Sequence, residues 1–162
     1  MQRRLIVMRH AKSDWAEPGL SDHRRPLNPR GRADAPLIGA RLSKLGWVPS
    51  VALCSDATRT RETFELIAPS FAECELRLFS ELYLPRIPDI LDALATLEDE
   101  VETALILGHN PGFEQVVGHF SGTFHTMTTA NAALLHARGD SWAEACQAAT
   151  MRLEQILRPK DI

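Results

Sequence analysis

The sequence predicts an α/β fold in which helices cover both faces of a mainly parallel sheet. Short apolar runs without polar alternation recur along the chain, and such runs are typical of parallel strands that are buried on both faces. Segments with the 3.6-residue period of amphipathic helices stand between these runs. The 162 residues are 44% hydrophobic and 24% charged, as in ordinary globular proteins, so one domain over residues 1–162 is expected.

The predicted strands follow from the apolar runs. Four runs are expected to be central parallel strands because none of them alternates with polar residues: residues 5–8, 51–54, 104–107 and 132–135. In residues 76–79 leucine alternates with arginine, which predicts a half-exposed edge strand. Near the C-terminus, residues 142–146 are compatible with a helical turn. The spacing of Met151, Leu153 and Leu157 is compatible with either a strand or a helix, and a last strand is expected.

Four helices are predicted from their first residues and apolar faces. Asn28 followed by Pro29 predicts a helix over residues 29–45. Ser55 is expected to cap a second helix, Pro88 to open a third, and Asn110 with Pro111 to open a fourth. The side chains expected to face the core are Ala35, Ile38, Leu42, Leu45, Ala57, Phe64, Ile67, Ile90, Leu94, Leu97, Phe113, Val116, Val117 and Phe120.

Charge and composition exclude several classes of protein. The 18 Lys and Arg against 21 Asp and Glu give a net charge of -3, so the chain has no bulk attraction to nucleic acid. The first apolar run stops at Arg9 and is far too short for a secretion signal or a membrane span. The three cysteines are widely spaced and suggest neither a disulfide framework nor a zinc site. These features predict a cytoplasmic protein without a membrane partner.

Three segments that each follow a predicted strand carry the candidate chemistry. Arg9 and His10 follow the first strand, Arg59 lies just after the second, and His109 follows a later one. Because ligands of parallel sheets bind outside the carboxyl ends of the strands, these side chains are expected to share one pocket. Their positive charge and guanidinium groups suit phosphate. Attack of an imidazole on phosphorus would give phosphoryl transfer through a phosphohistidine, without a metal ion.

Each of these residues also has an ordinary structural interpretation. A histidine at a strand end is often only hydrogen-bonded, His109 could simply orient its loop, and Arg59 could be a solvated helix residue. A zinc site from His10, His109 and another histidine is an alternative that lacks local ligand spacing and nearby thiols. Surface or core roles are expected for the remaining histidines, with room for one of them to line the pocket: His23, His119, His125 and His136. Residues 11–28 are polar and aperiodic, which predicts a functional loop.

The order of these segments matches a known family. Residues 5–13, LIVMRHAKS, resemble the strand and RHG signature of the histidine phosphatase superfamily, the phosphoglycerate mutase-like enzymes. Residues 27–35, 54–63 and 108–110 resemble its next three motifs in the same order. Within the superfamily, the RHAKS opening, the GLSD loop, GHNPG and the closing PKD are most similar to small SixA-type phosphohistidine phosphatases. The similarity extends over nearly the whole chain.

The resemblance implies a three-layer α/β/α fold, a set of site residues and no cofactor. It implies that His10 is the nucleophile and that Arg9, Arg59 and His109 bind the phosphoryl group. Within the matching segments, we expect the substrate also to contact Lys12, Ser13 and Asn110. Ala11 replaces the signature glycine, a change common in the SixA-like group. Glu81 is the best positional match for the general acid, with Asp14, Asp22 and Asp89 as alternatives.

The length of the chain favours one function of such a site over the alternatives. The stretch between Arg59 and Glu81 leaves little room for a lid, and an open site suits a phosphate that is presented on another protein. The first hypothesis is therefore hydrolysis of phosphohistidine on a partner such as a histidine phosphotransfer or carrier protein. The alternatives are a phosphatase of small phosphoesters, a non-catalytic phosphate-binding or phosphoprotein-binding module, and a mutase, which would need a shielded site.

Overall fold

A computed structural model describes all residues 1–162 and contains one six-stranded sheet. Its strands are β1 (Gln2–Arg9), β2 (Val51–Ser55), β3 (Glu75–Phe79), β4 (Thr103–Gly108), β5 (Ala132–Arg138) and β6 (Arg152–Leu157). Their order across the sheet is β3-β2-β4-β1-β5-β6. The helices are α1 (Pro29–Lys44), α2 (Thr58–Ile67), α3 (Ile87–Leu94), α4 (Gly112–Ser121) and α5 (Trp142–Ala145).

The two faces of the sheet carry separate apolar cores, which confirms the three-layer prediction. Alternate residues of β1 belong to different cores: Leu5 and Val7 face one side, and Ile6 and Met8 face the other. Buried side chains of α3, α4 and α5 pack on the first side, and those of α1 and α2 pack on the second. Because both faces are covered, every residue of β2 and β4 is buried.

Strand direction differs from the prediction at one position. Strands β1 to β4 are parallel to one another, but β5 is antiparallel to both β1 and β6. The expectation that residues 132–135 form a parallel strand is therefore wrong: Ala132 pairs with Met8, and Arg138 pairs with Gln2. An apolar run indicates that a strand is buried on both faces, but it does not indicate the direction of that strand.

Most element boundaries agree with the sequence. The exceptions are Ser55, Leu45, which is the exposed C-cap of α1 and does not face the core, and Pro111, which is the N-cap of α4 and not its first residue. Asn28 caps α1 as predicted, because its Oδ1 accepts a hydrogen bond from Gly31 N at 2.8 Å. Ser55 does not cap α2; it is the last residue of β2, and Ala57 is the N-cap without a side-chain bond. The expected edge strand and last strand are present as β3 and β6. No helix of the chain is both long and apolar enough to cross a bilayer.

The ends of β1 and β4 lie side by side at one edge of the sheet. Their register places Arg9 opposite Gly108, so the residues that follow, His10 and His109, leave the sheet next to each other. Two loops cover this edge: residues 11–28, with a 3-10 turn at Asp22–Arg24, and residues 122–131, which lead from α4 into β5.

Gly31 allows α1 to lie directly against the loop that follows His10. A Cβ atom at this position would be 2.2 Å from the carbonyl oxygen of Lys12 and 2.9 Å from its nitrogen. Asn28 N also donates to that carbonyl oxygen at 3.0 Å. The backbone of Lys12 is thus fixed by the first turn of α1.

Gly31→Ala is expected to destabilise the protein by about 1 to 3 kcal/mol in denaturant unfolding, because the new methyl group clashes with backbone that cannot rotate away. This loss should exceed the gain in helix propensity. Gly19→Ala is the matched control, since nothing lies within 4 Å of its added Cβ, and it should change stability by less than about 0.5 kcal/mol. Equal effects of both substitutions would contradict the close approach of α1 to Lys12.

Candidate functional site

A pocket of about 230 Å³ lies at the edge where β1 and β4 end. The structure brings seven of the predicted site residues to it: Arg9, His10, Lys12, Ser13, Arg59, His109 and Asn110. Four further residues complete the lining: Trp15, Arg25, Leu84 and Thr129. The eleven residues include four permanent cations and no Asp or Glu, so the pocket is strongly favourable for an anion.

His10 is held in the tautomer of a nucleophile. Its Nδ1 lies 2.6 Å from the carbonyl oxygen of Ala11, and because a carbonyl only accepts, Nδ1 carries the proton. Nε2 therefore carries the lone pair, toward which Arg59 Nε donates at 3.4 Å. Ala11 is fixed in turn, since its N–H donates to Thr63 Oγ1 on α2 at 3.0 Å.

The surroundings of His10 keep its imidazole neutral. The ring is 6% exposed, and this burial, with the nearby charges of Arg59 and Arg9 adding to it, lowers the pKa of His10 to about 3. The hydrogen bond to Ala11 acts in the opposite direction but is outweighed. At neutral pH the Nε2 lone pair is thus free for attack on an electrophile.

His109 presents a hydrogen-bond donor to the same pocket. Its ring centroid lies 5.2 Å from that of His10, and its Nε2 lies 2.8 Å from Ser55 Oγ. Ser55 Oγ accepts from Ala57 N at 3.3 Å; we assign its own proton to the bond with His109 Nε2, and in this arrangement the imidazole proton is on Nδ1. Burial, followed by the nearby His10 and Arg59, lowers the pKa of His109 to about 2. His109 is therefore a neutral donor.

Two buried nitrogen atoms of pocket residues have no hydrogen-bond partner in the protein: His109 Nδ1 and Arg9 Nε. Both are donors in the arrangement described above. An unpaired buried donor typically costs about 1 to 3 kcal/mol. Because Arg9 and His109 line the pocket, an oxyanion bound there is a candidate acceptor for both of them.

Arg59 connects His10 to the carboxylate of Asp22, which lies outside the pocket lining. Its Nη1 donates to the carbonyl oxygen of Asp22 at 2.6 Å, and its Nη2 donates to Asp22 Oδ2 at 3.1 Å. Arg25 binds the other oxygen of Asp22 at 3.0 Å, and the Tyr83 hydroxyl donates to Oδ2. Arg59 and Arg25 are both buried, so Asp22 orients the two guanidinium groups without lining the pocket itself.

Asp22 is ionised in this arrangement. Partial burial alone would raise the pKa of its carboxyl group, but the hydrogen bond from Tyr83 and the charge of Arg59 outweigh that effect and lower the pKa to about 2. A carboxyl group with this pKa has no proton to give at neutral pH. Asp22, one of the alternatives for the general acid, is therefore poorly suited to that role.

The structure does not bring Glu81 to the pocket. Glu81 is exposed in a 3-10 turn at Ser80–Leu82 and borders a different cavity, together with Asp89. Asp14 is also absent from the pocket lining, and its Oδ1 accepts from Ala16 N at 2.7 Å. The turn after β3 instead places the neighbouring Tyr83 ring 5.3 Å from that of His109.

Sequence reasoning missed Arg25 and Trp15, which the loop of residues 11–28 brings to the pocket. Arg25 donates to Ser13 Oγ at 2.7 Å, and its guanidinium stacks on the Trp15 ring at 3.3 Å. The sequence predicted that residues 11–28 form a functional loop, but it did not identify Arg25 or Trp15 within that loop. Neither has a sequence pattern that distinguishes it from an ordinary surface residue.

The zinc alternative finds no support in the placement of the ligands. No group of three His, Cys, Asp or Glu side chains is arranged to hold a metal ion. Of the six histidines, only His10 and His109 line the pocket. His23 contacts Asp56 at 2.9 Å and the edge of the Tyr83 ring.

Comparisons with known proteins agree with this fold. Residues 5–82 match the model of the histidine phosphatase superfamily (branch 1). An uncharacterised chloroplastic protein of Arabidopsis thaliana is 38% identical over 157 residues, which cover 90% of this chain and 71% of the relative.

Two solved structures are similar over almost their whole length. One is a protein of Agrobacterium tumefaciens assigned as a phosphohistidine phosphatase SixA, with a TM-score of 0.84, 28% identity, and coverage of 97% of this chain and 98% of that chain. The other, with the same assignment, is from Nakamurella multipartitia, with a TM-score of 0.80, 28% identity, and coverage of 98% and 97%. The fold is thus phosphoglycerate mutase-like, as the sequence predicted.

Arg59→Lys is expected to weaken the binding of tungstate, a tetrahedral oxyanion, by about tenfold in a calorimetric titration. The ammonium group of a lysine cannot bind Asp22 and contact His10 at the same time, whereas the guanidinium group of Arg59 does both. Arg61→Lys is the matched control, because Arg61 lies on the exposed side of the same helix, and its affinity should stay within about twofold. Equal weakening by both substitutions would contradict the assignment of Arg59 to the pocket.

Proposed function

This chain belongs to the histidine phosphatase superfamily, and we propose that it hydrolyses phosphohistidine on a partner protein through a covalent intermediate on His10. The partner would be a phosphorylated protein such as a histidine phosphotransfer or carrier protein. Small phosphoesters are the alternative substrates. We also propose that residues 1–162 act as one domain of this family.

In the first step His10 Nε2 attacks phosphorus, and the bond from phosphorus to the leaving imidazole nitrogen breaks. The leaving ring takes its proton from solvent and departs neutral. Arg9, Arg59 and the His109 Nδ1–H hold the oxygens of the phosphoryl group as it moves. The Ala11 carbonyl, 2.6 Å from Nδ1, stabilises the positive charge that forms on the His10 ring.

In the second step water attacks the phosphorus, and the bond between Nε2 and phosphorus breaks. Inorganic phosphate leaves, and His10 returns to its neutral form with the proton on Nδ1. Lys12, Ser13 and Asn110 line the pocket and are proposed to contact the substrate. No metal ion is needed in this scheme, because the guanidinium groups supply the positive charge.

The absence of a carboxylate from the pocket lining is the observation that carries the substrate proposal. An alkyl phosphate releases a poor leaving group that needs a positioned acid, an effect typically of about 10²- to 10⁴-fold. Phosphohistidine releases imidazole, which solvent can protonate at an open site. A pocket with a nucleophile and cations but no acid therefore favours the phosphohistidine substrate.

The rim of the pocket supports access by a protein. Trp15 is 74% exposed and Leu84 is 67% exposed, and both belong to the lining. Large exposed apolar side chains around a polar pocket are typical of surfaces that contact another protein. The mutase alternative would need a cover that keeps water from the phosphoenzyme.

The oriented lone pair of His10 argues against a module that only binds phosphate. Binding requires the cations, but it does not require a neutral imidazole whose free nitrogen faces the bound group. The three free cysteines are compatible with a reducing compartment, and we propose the cytoplasm, although the Arabidopsis thaliana relative is chloroplastic.

The leaving group should control the rate. With wild-type protein, kcat/KM should be similar for a phosphohistidine peptide and 4-nitrophenyl phosphate, and at least about 10²-fold lower for an alkyl phosphate. Glu81→Gln should leave all three values within about twofold, because Glu81 lies outside the pocket, and a chelator should have no effect. Equal rates on all three substrates, or a selective loss on the alkyl phosphate in Glu81→Gln, would contradict the absence of an acid.

Labelled phosphate should be trapped on His10. After incubation with labelled substrate and an alkaline quench, the wild-type protein should carry label that is stable in alkali and lost in acid, as expected of a phosphoramidate. His10→Ala should carry none and should lose turnover. His136→Ala, outside the pocket, is the control and should be labelled normally. Wild-type turnover by His10→Ala would rule out the covalent route.

A further inference from the structure

A second polar cavity of about 280 Å³ adjoins the pocket and shares Lys12 and Thr129 with it. The first turns of α1 form one wall, the loop before β5 forms another, and the turn after β6 forms a third. Charged and polar residues and one proline make up its entire lining. Apart from Lys12, the proposed reaction at His10 uses none of the charged residues of this cavity.

The charges in the second cavity are unbalanced. Four of its lining residues are cations, Lys12, Arg30, Arg158 and Lys160, and only Asp34 is acidic. Asp34 lies 3.5 Å from Arg30 on the same helix. None of the chain's ion pairs involves the other three cations. Their charge is therefore available to a bound anion.

Arg158 is anchored by neutral groups. Its Nη2 donates to the carbonyl oxygen of Thr126 at 3.1 Å. With the amide of Asn131 turned so that its oxygen faces the neighbouring donors, that oxygen accepts from Arg158 Nη1 at 2.6 Å and from Thr128 N at 2.9 Å. Asn131 is completely buried, so it holds the guanidinium in place without neutralising it. This arrangement differs from a mobile cation on the surface.

Lys12 stands between the two cavities because its backbone is fixed by Asn28 and Gly31 of the first turn of α1. One cation therefore borders the reacting phosphoryl group and the second cavity at once. The Lys12 ammonium group therefore attracts an anionic group in either cavity. A substrate with two anionic groups would benefit from both cavities.

We propose that the second cavity binds a further anionic group, phosphoryl or carboxylate, carried by the same substrate molecule whose phosphoryl group reacts at His10. This inference rests on the proposed function and adds a substrate class: compounds or protein segments with a second anion near the reacting phosphate. Guanidinium and ammonium groups recognise both kinds of oxyanion. The two sources, an acidic protein segment and a small phosphorylated compound, are separated by experiment.

The experiment measures a ratio of kcat/KM values in two substrate series. The peptide series compares phosphohistidine peptides with acidic and with neutral flanking residues. The aryl series compares 4-nitrophenyl phosphate with an aryl phosphate that carries a phosphonate on a flexible arm. In wild-type protein the additional anion should raise kcat/KM about tenfold in at least one series.

Arg158→Gln combined with Lys160→Gln should reduce that ratio to about one. Arg138→Gln combined with Arg152→Gln removes the same charge at exposed positions of β5 and β6 and should keep the wild-type ratio. Because loss of Arg158 also removes one hydrogen-bond partner of the buried Asn131, Lys160→Glu serves as a second variant. It changes only an exposed side chain and should also lower the ratio.

Each outcome decides the inference. A preference in the peptide series identifies an acidic protein segment as the ligand, and a preference in the aryl series alone identifies a small compound. No preference in either series, or an equal preference in the cavity variants and the charge-matched control, overturns the second site. If no phosphohistidine peptide is hydrolysed, the proposed function fails, while the aryl series still tests the second cavity.

Discussion

The parallel pairing of β1 with β4 is the interaction on which the site depends. Its register opposes Arg9 to Gly108 and continues one residue further, because His10 N donates to Gly108 O at 3.0 Å. The other side of His10 is held as well, since Ala130 N donates to His10 O at 2.9 Å. A shift of one residue would turn the side chains of β1 to the opposite face. The 5.2 Å separation of the two imidazoles follows from this pairing.

Burial then decides the chemical state of the two imidazoles. Removal from water lowers the pKa of both imidazoles most strongly, and the nearby arginines lower it further. The result is two neutral imidazoles in a positively charged pocket, one with a lone pair on Nε2 (His10) and one with a proton on Nδ1 (His109). Arg25 and Arg59 would repel each other if nothing stood between them. Asp22 binds both and allows two buried guanidinium groups to point at one small volume.

The loops around the sheet edge determine what the site can recognise. Residues 11–28 contribute Trp15 and Arg25 to the pocket. The loop before β5 reaches the same edge because β5 starts opposite the end of β1, and it contributes Thr129. The turn after β6 then brings Arg158 and Lys160 beside Lys12. Because β5 runs antiparallel to both β1 and β6, the loop before β5 and the turn after β6 lie at the same edge of the sheet, where they line the second cavity.

The sequence by itself determined the alternation of strands and helices, the faces that are buried, and the core of the site. The spacing of apolar residues and the helix caps depend on residues that are close together in the sequence, so both can be recognised from the sequence alone. The same is true of Arg9, His10, Arg59 and His109, because each follows a strand and strand ends meet at one edge. Only the tertiary structure decided the direction of β5, the link between Ser55 and His109, and the position of Glu81 outside the pocket lining. These depend on contacts between residues far apart in the chain, and local patterns carry no information about which loop residues meet across an edge.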